Sequence, residues 1–422
     1  METNSNPENI SNSSLQREKW CGHQFLYKFH GFWFTQTYLE TTKRVVENFK
    51  PLPNDVILCS FPKTGTTWLK ALLHSITHRS DESNLLISKH PQELIPSLET
   101  NLYVRHVENN EKSPESLLTL NEDRVRILGT HIPYQILGNV LNSSECKIVY
   151  MTRNPKDTLI SLWHFVRKSE KVEEDPWELE AAVDQFCNGI VVFGSYYDHV
   201  LAYREESVER PDKVFLVTYE EMKENPKECV EELGKFLGCP FDEGENGAME
   251  ISEIVRNCSF ENLSNQGVNK SSELPDGFPL PYSSFFRKGK VGDYKNYLDD
   301  EMIQKIDSIT REKFHRSVRS RVQDSSTSSK RIDEYVLSWE EHFHLLKNLT
   351  ASNSGLLVRE ISPSNVMLGS EIVGPDSNGV NKAHAASSSS LRMNNLRSPS
   401  IASRTSLSYA SVYPQSLAGF KW

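Results

Sequence analysis

The chain has 422 residues, 37% hydrophobic and 25% charged, enough to bury a large core as one big α/β domain or two smaller ones. Its net charge of -10 argues against a general nucleic-acid binder, although a local basic pocket stays open. No apolar run approaches the roughly 18 residues of a membrane span, and the polar N-terminus has no apolar core flanked by basic residues, so a soluble, cytoplasmic protein without membrane or nucleic-acid partners is expected.

Residues 1–19 are polar and expected to be disordered. Trp20 to Val46 is rich in rings (Phe25, Tyr27, Phe29, Phe32, Trp33, Phe34, Tyr38), which either pack on the domain or line an aromatic acceptor pocket. From Asp55 to Ile76 an apolar run of strand character, Val56 to Cys59, passes through FPKTGTT into a stretch with Trp68, Leu69, Leu72, Leu73 and Ile76 at helical spacing. Two readings compete for this strand, loop, helix unit. Thr64, Thr66 and Thr67 are plausible helix caps that bind nothing. Alternatively, the unpaired N–H groups at the helix start cradle an anion. Lys63 precedes Gly65 and the leading glycine of a Walker A loop is missing, which disfavours an ordinary ATP-binding loop.

Further strands are expected at Arg124 to Thr130, Lys147 to Thr152 and Val214 to Thr218. His131 follows the first of these, and Ile132-Pro133 bars the strand from continuing. Ligands of open α/β sheets bind beyond the carboxyl ends of strands, so that address suits chemistry, although a lone histidine is usually structural. Arg153-Asn154-Pro155 places an arginine beside a helix start, with Asn154 as cap and Pro155 at the first helical position. Ser161 lies about two turns into that helix, its direction undecided. Asn225-Pro226 opens another amphipathic helix closed by Gly238. Strands alternating with helices argue for a parallel sheet covered on both faces.

The stretch Asn265 to Phe286, with Pro275, Pro279 and Pro281, reads as a long lid-like loop delivering Arg287-Lys288-Gly289. After Val322 serine rises and periodicity fades, which marks disorder, with Ile332 to Leu349 a candidate isolated helix. Seven scattered cysteines without Cys-x-x-Cys spacing suggest buried free thiols, not a zinc site or a disulfide framework.

Taken in order, FPKTGTTW, GTHIPY, YMTRNPKDTLISLWHF, VTYEEMKENP, CSFENLSN and FFRKGKVGDYKN resemble the cytosolic sulfotransferases that use 3'-phosphoadenylyl sulfate, the plant flavonol-type branch most closely, over approximately residues 20–315. The resemblance implies a single three-layer α/β domain over residues 20–322, with a central parallel sheet and a P-loop-like phosphosulfate-binding loop, while composition implies the disordered tail over 323–422. The resemblance also implies that Lys63, Thr64, Gly65, Thr66 and Thr67 hold the 5'-phosphosulfate and that Trp68 stacks on adenine. Arg153, Ser161, Arg287, Lys288 and Gly289 would bind the 3'-phosphate, while Tyr219, Cys258, Ser259 and Phe260 face the nucleotide. His131 would be the general base and Lys63 the stabiliser of the leaving oxygen, with no metal and a small-molecule hydroxyl acceptor.

Phe61, Thr64 and Tyr294 depart from common family residues, and NYLDDEM does not reproduce the dimer motif of animal members, leaving the oligomeric state open. Two alternatives remain at this point. One is a nucleotide-binding relative impaired by its altered C-terminus, and the other is a small-molecule kinase.

Overall fold

In the computed structural model, residues 15–21, 24–79, 84–105, 125–170, 177–274 and 280–322 are described, all within the unit Met1–Ser362. The expectations for 323–422, including the helix at Ile332 to Leu349, lie outside these residues, as do Pro275 and Pro279.

Strand β1 (Arg17–Lys19), β2 (Phe25–Phe29) and β3 (Phe32–Phe34) form an antiparallel meander. The disordered N-terminal segment expected up to residue 19 is therefore too long. Arg17 to Lys19 pair with Tyr27 to Phe25, and this pairing depends on backbone groups that a polar sequence does not announce. Phe32, Trp33 and Phe34 are buried while Phe25 is exposed, so most of the aromatic segment packs on the domain.

The central sheet comprises β4 (Val56–Ser60), β5 (Ile127–Thr130), β6 (Lys147–Thr152) and β7 (Val214–Thr218), all parallel in the order β5-β4-β6-β7. Successive side chains of a strand point to opposite faces, and here both faces are apolar. Ile57, Cys59, Leu128, Ile148 and Tyr150 enter one core, whereas Val56, Leu58, Ile127, Val149 and Met151 enter the other. Burying each such Ile, Leu or Val contributes roughly 1.5 to 3 kcal/mol, which explains why these strands read as continuous apolar runs.

Helix Thr66–Thr77 buries Leu69, Leu72, Leu73 and Ile76 in the second core. Helix Pro155–Glu170 starts as the sequence indicates: the Asn154 Oδ1 accepts from Lys156 N at 3.0 Å. Helix Pro226–Leu237 ends at Gly238, whose φ of 80° gives the left-handed C-cap. The stretch after Asn265 is less loop-like than its composition indicates, with short helices at Gly267–Lys270 and Tyr282–Phe285. All seven cysteines are outside disulfides. No described helix is long and apolar enough to cross a membrane.

Candidate active site

The carboxyl ends of β4, β5 and β6 lie side by side because the three strands are parallel and adjacent, and the cleft beyond such ends is where open α/β sheets bind ligands. From β4 the chain turns through Phe61 to Gly65 into helix Thr66–Thr77. The cap at the helix start is Gly65, with φ of 119° and no side-chain capping bond. The threonine hydroxyls expected as caps go elsewhere. Thr64 Oγ1 donates to Phe61 O and across to Met151 O on β6, Thr66 Oγ1 bonds Ser60 Oγ at 2.7 Å, and Thr67 Oγ1 accepts from Gln92 Nε2 at 3.1 Å. Tertiary partners have taken the capping groups, so no side chain caps the first helical N–H groups, and groups of this kind suit an anion.

Gly65 is also sterically required. A Cβ there would lie 2.6 Å from Met151 Sδ and 2.9 Å from Tyr219 Cδ2, in a left-handed conformation that costs an L-residue about 1 to 2 kcal/mol. Gly65→Ala is expected to destabilise the protein by about 2 to 4 kcal/mol in all, read as a lower melting temperature. An unchanged Tm would contradict this packing.

Lys63 also has a left-handed backbone, with φ of 73°. Its ammonium lies 3.7 Å from the centroid of the Phe165 ring and 5.7 Å from that of Phe285. Burial lowers its pKa to about 7, aided by the positive charges of Arg153, Arg287 and Lys168. Three cations press on a fourth, and the cleft is electrostatically prepared for an anion.

His131 follows β5. Its Nδ1 bonds Ser60 O at 2.7 Å, and because a carbonyl can only accept, this nitrogen carries the proton and Nε2 is the basic one. The His131 N–H donates to Glu99 Oε1 at 2.8 Å, and its carbonyl accepts from His199 Nε2 at 3.0 Å. Burial depresses the imidazole pKa to about 3, so the neutral ring prevails at neutral pH. Phe193 is 5.6 Å from His131 between ring centroids, and Tyr38 is 5.3 Å from Phe193. Of the N-terminal aromatics, Tyr38 and Phe34, the latter at 5.5 Å, both pack on Phe193, the ring that meets the histidine.

Arg153, after β6, stacks its guanidinium 4.4 Å from the Tyr219 ring centroid, and Tyr219 meets Trp68 edge-on at 5.3 Å. Arg153 Nη2 donates to Lys290 O at 2.7 Å. Arg287 pairs with Asp293 at 2.7 Å and Lys288 with the same carboxylate at 2.8 Å. The segment is fastened further by Asp157, which accepts from Gly292 N and Tyr294 N at 2.7 and 3.0 Å. Gly289, at φ of +61°, sits so close to Phe260 that a Cβ would come within 2.4 Å of its ring. The predicted residues 153, 219, 260 and 287–289 are therefore gathered around one corner of the cleft.

Two predicted residues use their side chains differently. Cys258 Sγ is buried against Ser75 Oγ at 3.3 Å, and burial pushes its thiol up to about 12. Ser259 Oγ caps helix Phe260–Asn265 by accepting from Asn262 N. Ser161 is half-buried on the second turn of helix Pro155–Glu170. Sequence reasoning missed Lys70, Gln92 and Glu99, which underlie the cleft. A charged or amide residue inside an apolar pattern is their only signal.

Buried Nε atoms of Arg153 and Arg287 lack hydrogen-bond partners. Buried donors of this kind are costly unless a ligand completes them, and a phosphate oxygen would do so. The donor set therefore fits a phosphorylated nucleotide. Among the described residues no group of three or more His, Cys, Asp and Glu could hold a metal ion.

Comparison with known proteins agrees with this geometry. A family model described as "Sulfotransferase domain" matches residues 53–318. Cytosolic sulfotransferase 5 of Arabidopsis thaliana is 40% identical over 310 residues, covering 72% of this chain and 93% of that protein. Flavonol 4'-sulfotransferase of Flaveria chlorifolia is 40% identical over 295 residues, covering 69% and 89%. Among solved structures, an Arabidopsis thaliana putative steroid sulphotransferase is 32% identical with a TM-score of 0.55, covering 72% of this chain and 92% of that one. A mouse sulfotransferase complexed with PAP is 26% identical with a TM-score of 0.54, covering 72% and 99%. The chain belongs to the sulfotransferase family, in its plant cytosolic, flavonol-type branch.

Proposed function

We propose that this cytosolic enzyme transfers a sulfuryl group from 3'-phosphoadenylyl sulfate to a hydroxyl of a small-molecule acceptor, with flavonols as the first class to try. The observation that supports this best is the meeting, at the ends of three adjacent strands, of an anion-binding loop bearing Lys63, a histidine with its Nε2 basic, and two arginines with unpartnered buried nitrogens. When bound, the donor supplies the sulfuryl group and takes the bond's electron pair away with the bisphosphate. The amides at the start of helix Thr66–Thr77 hold its 5' end. Arg153 and Arg287, with Lys288, hold the 3'-phosphate through charge-assisted bonds, and Trp68 and Tyr219 flank the base.

Lys63 stabilises negative charge on the leaving oxygen. His131 Nε2 takes the proton of the acceptor hydroxyl as that oxygen attacks. Phe193, beside His131 and backed by Tyr38, offers an apolar, aromatic wall to a flat phenolic acceptor. A panel of hydroxyl acceptors with labelled donor tests the reading, with label expected on flavonols.

The pKa of Lys63 adds a second test. In the free protein it is near 7, and a bound polyanion favours the ammonium form and raises it. Above pH 7 nucleotide binding should therefore take up protons, and affinity should fall as pH rises further. Calorimetry of bisphosphate binding at pH 8 in buffers of different ionisation enthalpy measures the uptake. Lys63→Met should reduce it, and an uptake unchanged in that variant would contradict the assignment.

A further inference from the structure

Beneath the cleft runs a buried polar connection that the roles above do not use. Lys70 lies on helix Thr66–Thr77, about one turn after Thr66 and Thr67. It is fully buried, and its ammonium donates to Gln92 Oε1 and, at 2.8 Å, to Ser97 Oγ. Gln92 in turn donates to Thr67 Oγ1 on the anion-binding turn. Ser97 is joined to the other side of the site: its backbone bridges Gly129 on β5, whose N–H donates to Pro96 O at 2.9 Å.

Gly129 makes the arrangement possible. A Cβ there would stand 2.8 Å from Ser97 Oγ, 3.1 Å from Lys70 Cε and 3.3 Å from Lys70 Nζ. The bare backbone lets the ammonium lie against β5 two residues before His131. Two residues beyond Ser97, in the π-helical turn Leu98–Leu102, Glu99 is also fully buried. Its carboxylate accepts from Thr130 Oγ1 and from His131 N, both at 2.8 Å. Burial lowers the Lys70 pKa to about 7 and raises that of Glu99, while the attraction between the two groups favours both charged forms.

We propose that Lys70 and Glu99 are positioning residues for sulfuryl transfer, a buried ionisable pair that holds the anion-binding turn and the base histidine in register. One end of the couple reaches Thr67 through Gln92, and the other end is bonded to the backbone of His131. Desolvating two charges costs several kcal/mol each, and apolar side chains of similar volume often stabilise a core as well or better. A purely structural filler has little reason to be ionisable here. Alignment does, because misplacing reacting groups by about 1 Å can cost roughly 10²-fold in rate.

Charge gives the proposal a second signature. The charged and titratable groups around His131 are Lys70 on the helix, Lys63 on the loop, His199 on helix Tyr196–Glu209 and Glu99 on the π-helical turn. Lys70 is one of the cations that disfavour the imidazolium. Removing it should move the His131 titration upward.

The proposal rests on His131 being the base, so the experiment separates the two. Lys70→Met keeps length and removes the charge, while Glu99→Gln keeps shape and an acceptor for His131 N–H. Both folded variants should bind the bisphosphate nucleotide within about threefold of the parent and lose at least roughly tenfold in kcat. In Lys70→Met the imidazole of His131, assigned by NMR through its absence in His131→Ala, should titrate at higher pH than in the parent. If Lys70→Met fails to fold, Ser97→Ala, which removes only one acceptor of the ammonium, should show a loss of kcat with nucleotide affinity retained. A kcat within twofold of the parent in these folded variants, or an unmoved His131 titration in Lys70→Met, would overturn the couple. Retained turnover in His131→Ala would overturn the base instead.

Discussion

Replacing His131 with alanine is expected to lower turnover roughly 10²- to 10⁴-fold, the scale of a lost general base, with binding of the bisphosphate nucleotide nearly unchanged. The hydrogen bond from Nδ1 to Ser60 O fixes the tautomer, and the bonds from His131 N to Glu99 and from His199 to His131 O use the backbone, so they survive the substitution. The variant should therefore fold. The pH dependence follows from the same geometry. Burial depresses the His131 pKa from its usual 6.5 to about 3, so the basic form persists as pH falls through 6.5 and is lost only at lower pH. The acid limb of kcat/KM, which reports the free enzyme, should lie well below 6.5. A limb at the ordinary histidine value that disappeared in His131→Ala would contradict the buried, neutral ring.

The second large effect divides affinity from chemistry. Arg153→Ala removes a guanidinium fixed between the Tyr219 ring and Lys290 O, with its Nε unpartnered. Charge-assisted bonds contribute about 1.5 to 3 kcal/mol each, so nucleotide affinity should fall by roughly 10- to 150-fold per bond lost. Lys63→Ala should lose some affinity with its ammonium but mainly slow transfer, by about 10² to 10³ for a transition-state donor. It also relieves the left-handed lysine backbone only slightly, since alanine meets the same restriction. Calorimetry with the bisphosphate together with single-turnover rates distinguishes the two. An Arg153→Ala variant that bound as tightly as the parent would remove Arg153 from the 3'-phosphate site.

Much of this was legible in the sequence because it is local. An apolar run, a glycine and a helical pattern place the loop. His131 stands where Pro133 ends a strand, and Asn154-Pro155 and Gly238 mark helix boundaries through their own backbone preferences. What escaped depends on partners far along the chain. Thr64 reads as a cap until Met151 O, 87 residues away, claims its hydroxyl. Lys70 carries no local signal of a role, yet Gln92 and Ser97, 22 and 27 residues away, accept from its ammonium. Glu99 is one acidic residue among many until the π-helical turn aims it at His131. Arg17 to Lys19 carry no strand pattern, and only pairing with β2 orders them. Cys258 falls within a matched motif, but the motif does not say which way the thiol points.

The central claim is transfer of a sulfuryl group, and following the sulfur tests it most directly. The full-length protein would be incubated with 3'-phosphoadenylyl sulfate carrying labelled sulfur and a panel of flavonols, steroids and related hydroxyl compounds. Label should appear on an acceptor in one-to-one proportion with released bisphosphate nucleotide, with the rate collapsing in His131→Ala. Tight binding of the bisphosphate with no label on any acceptor, or phosphate transfer from ATP and magnesium in its place, would contradict it.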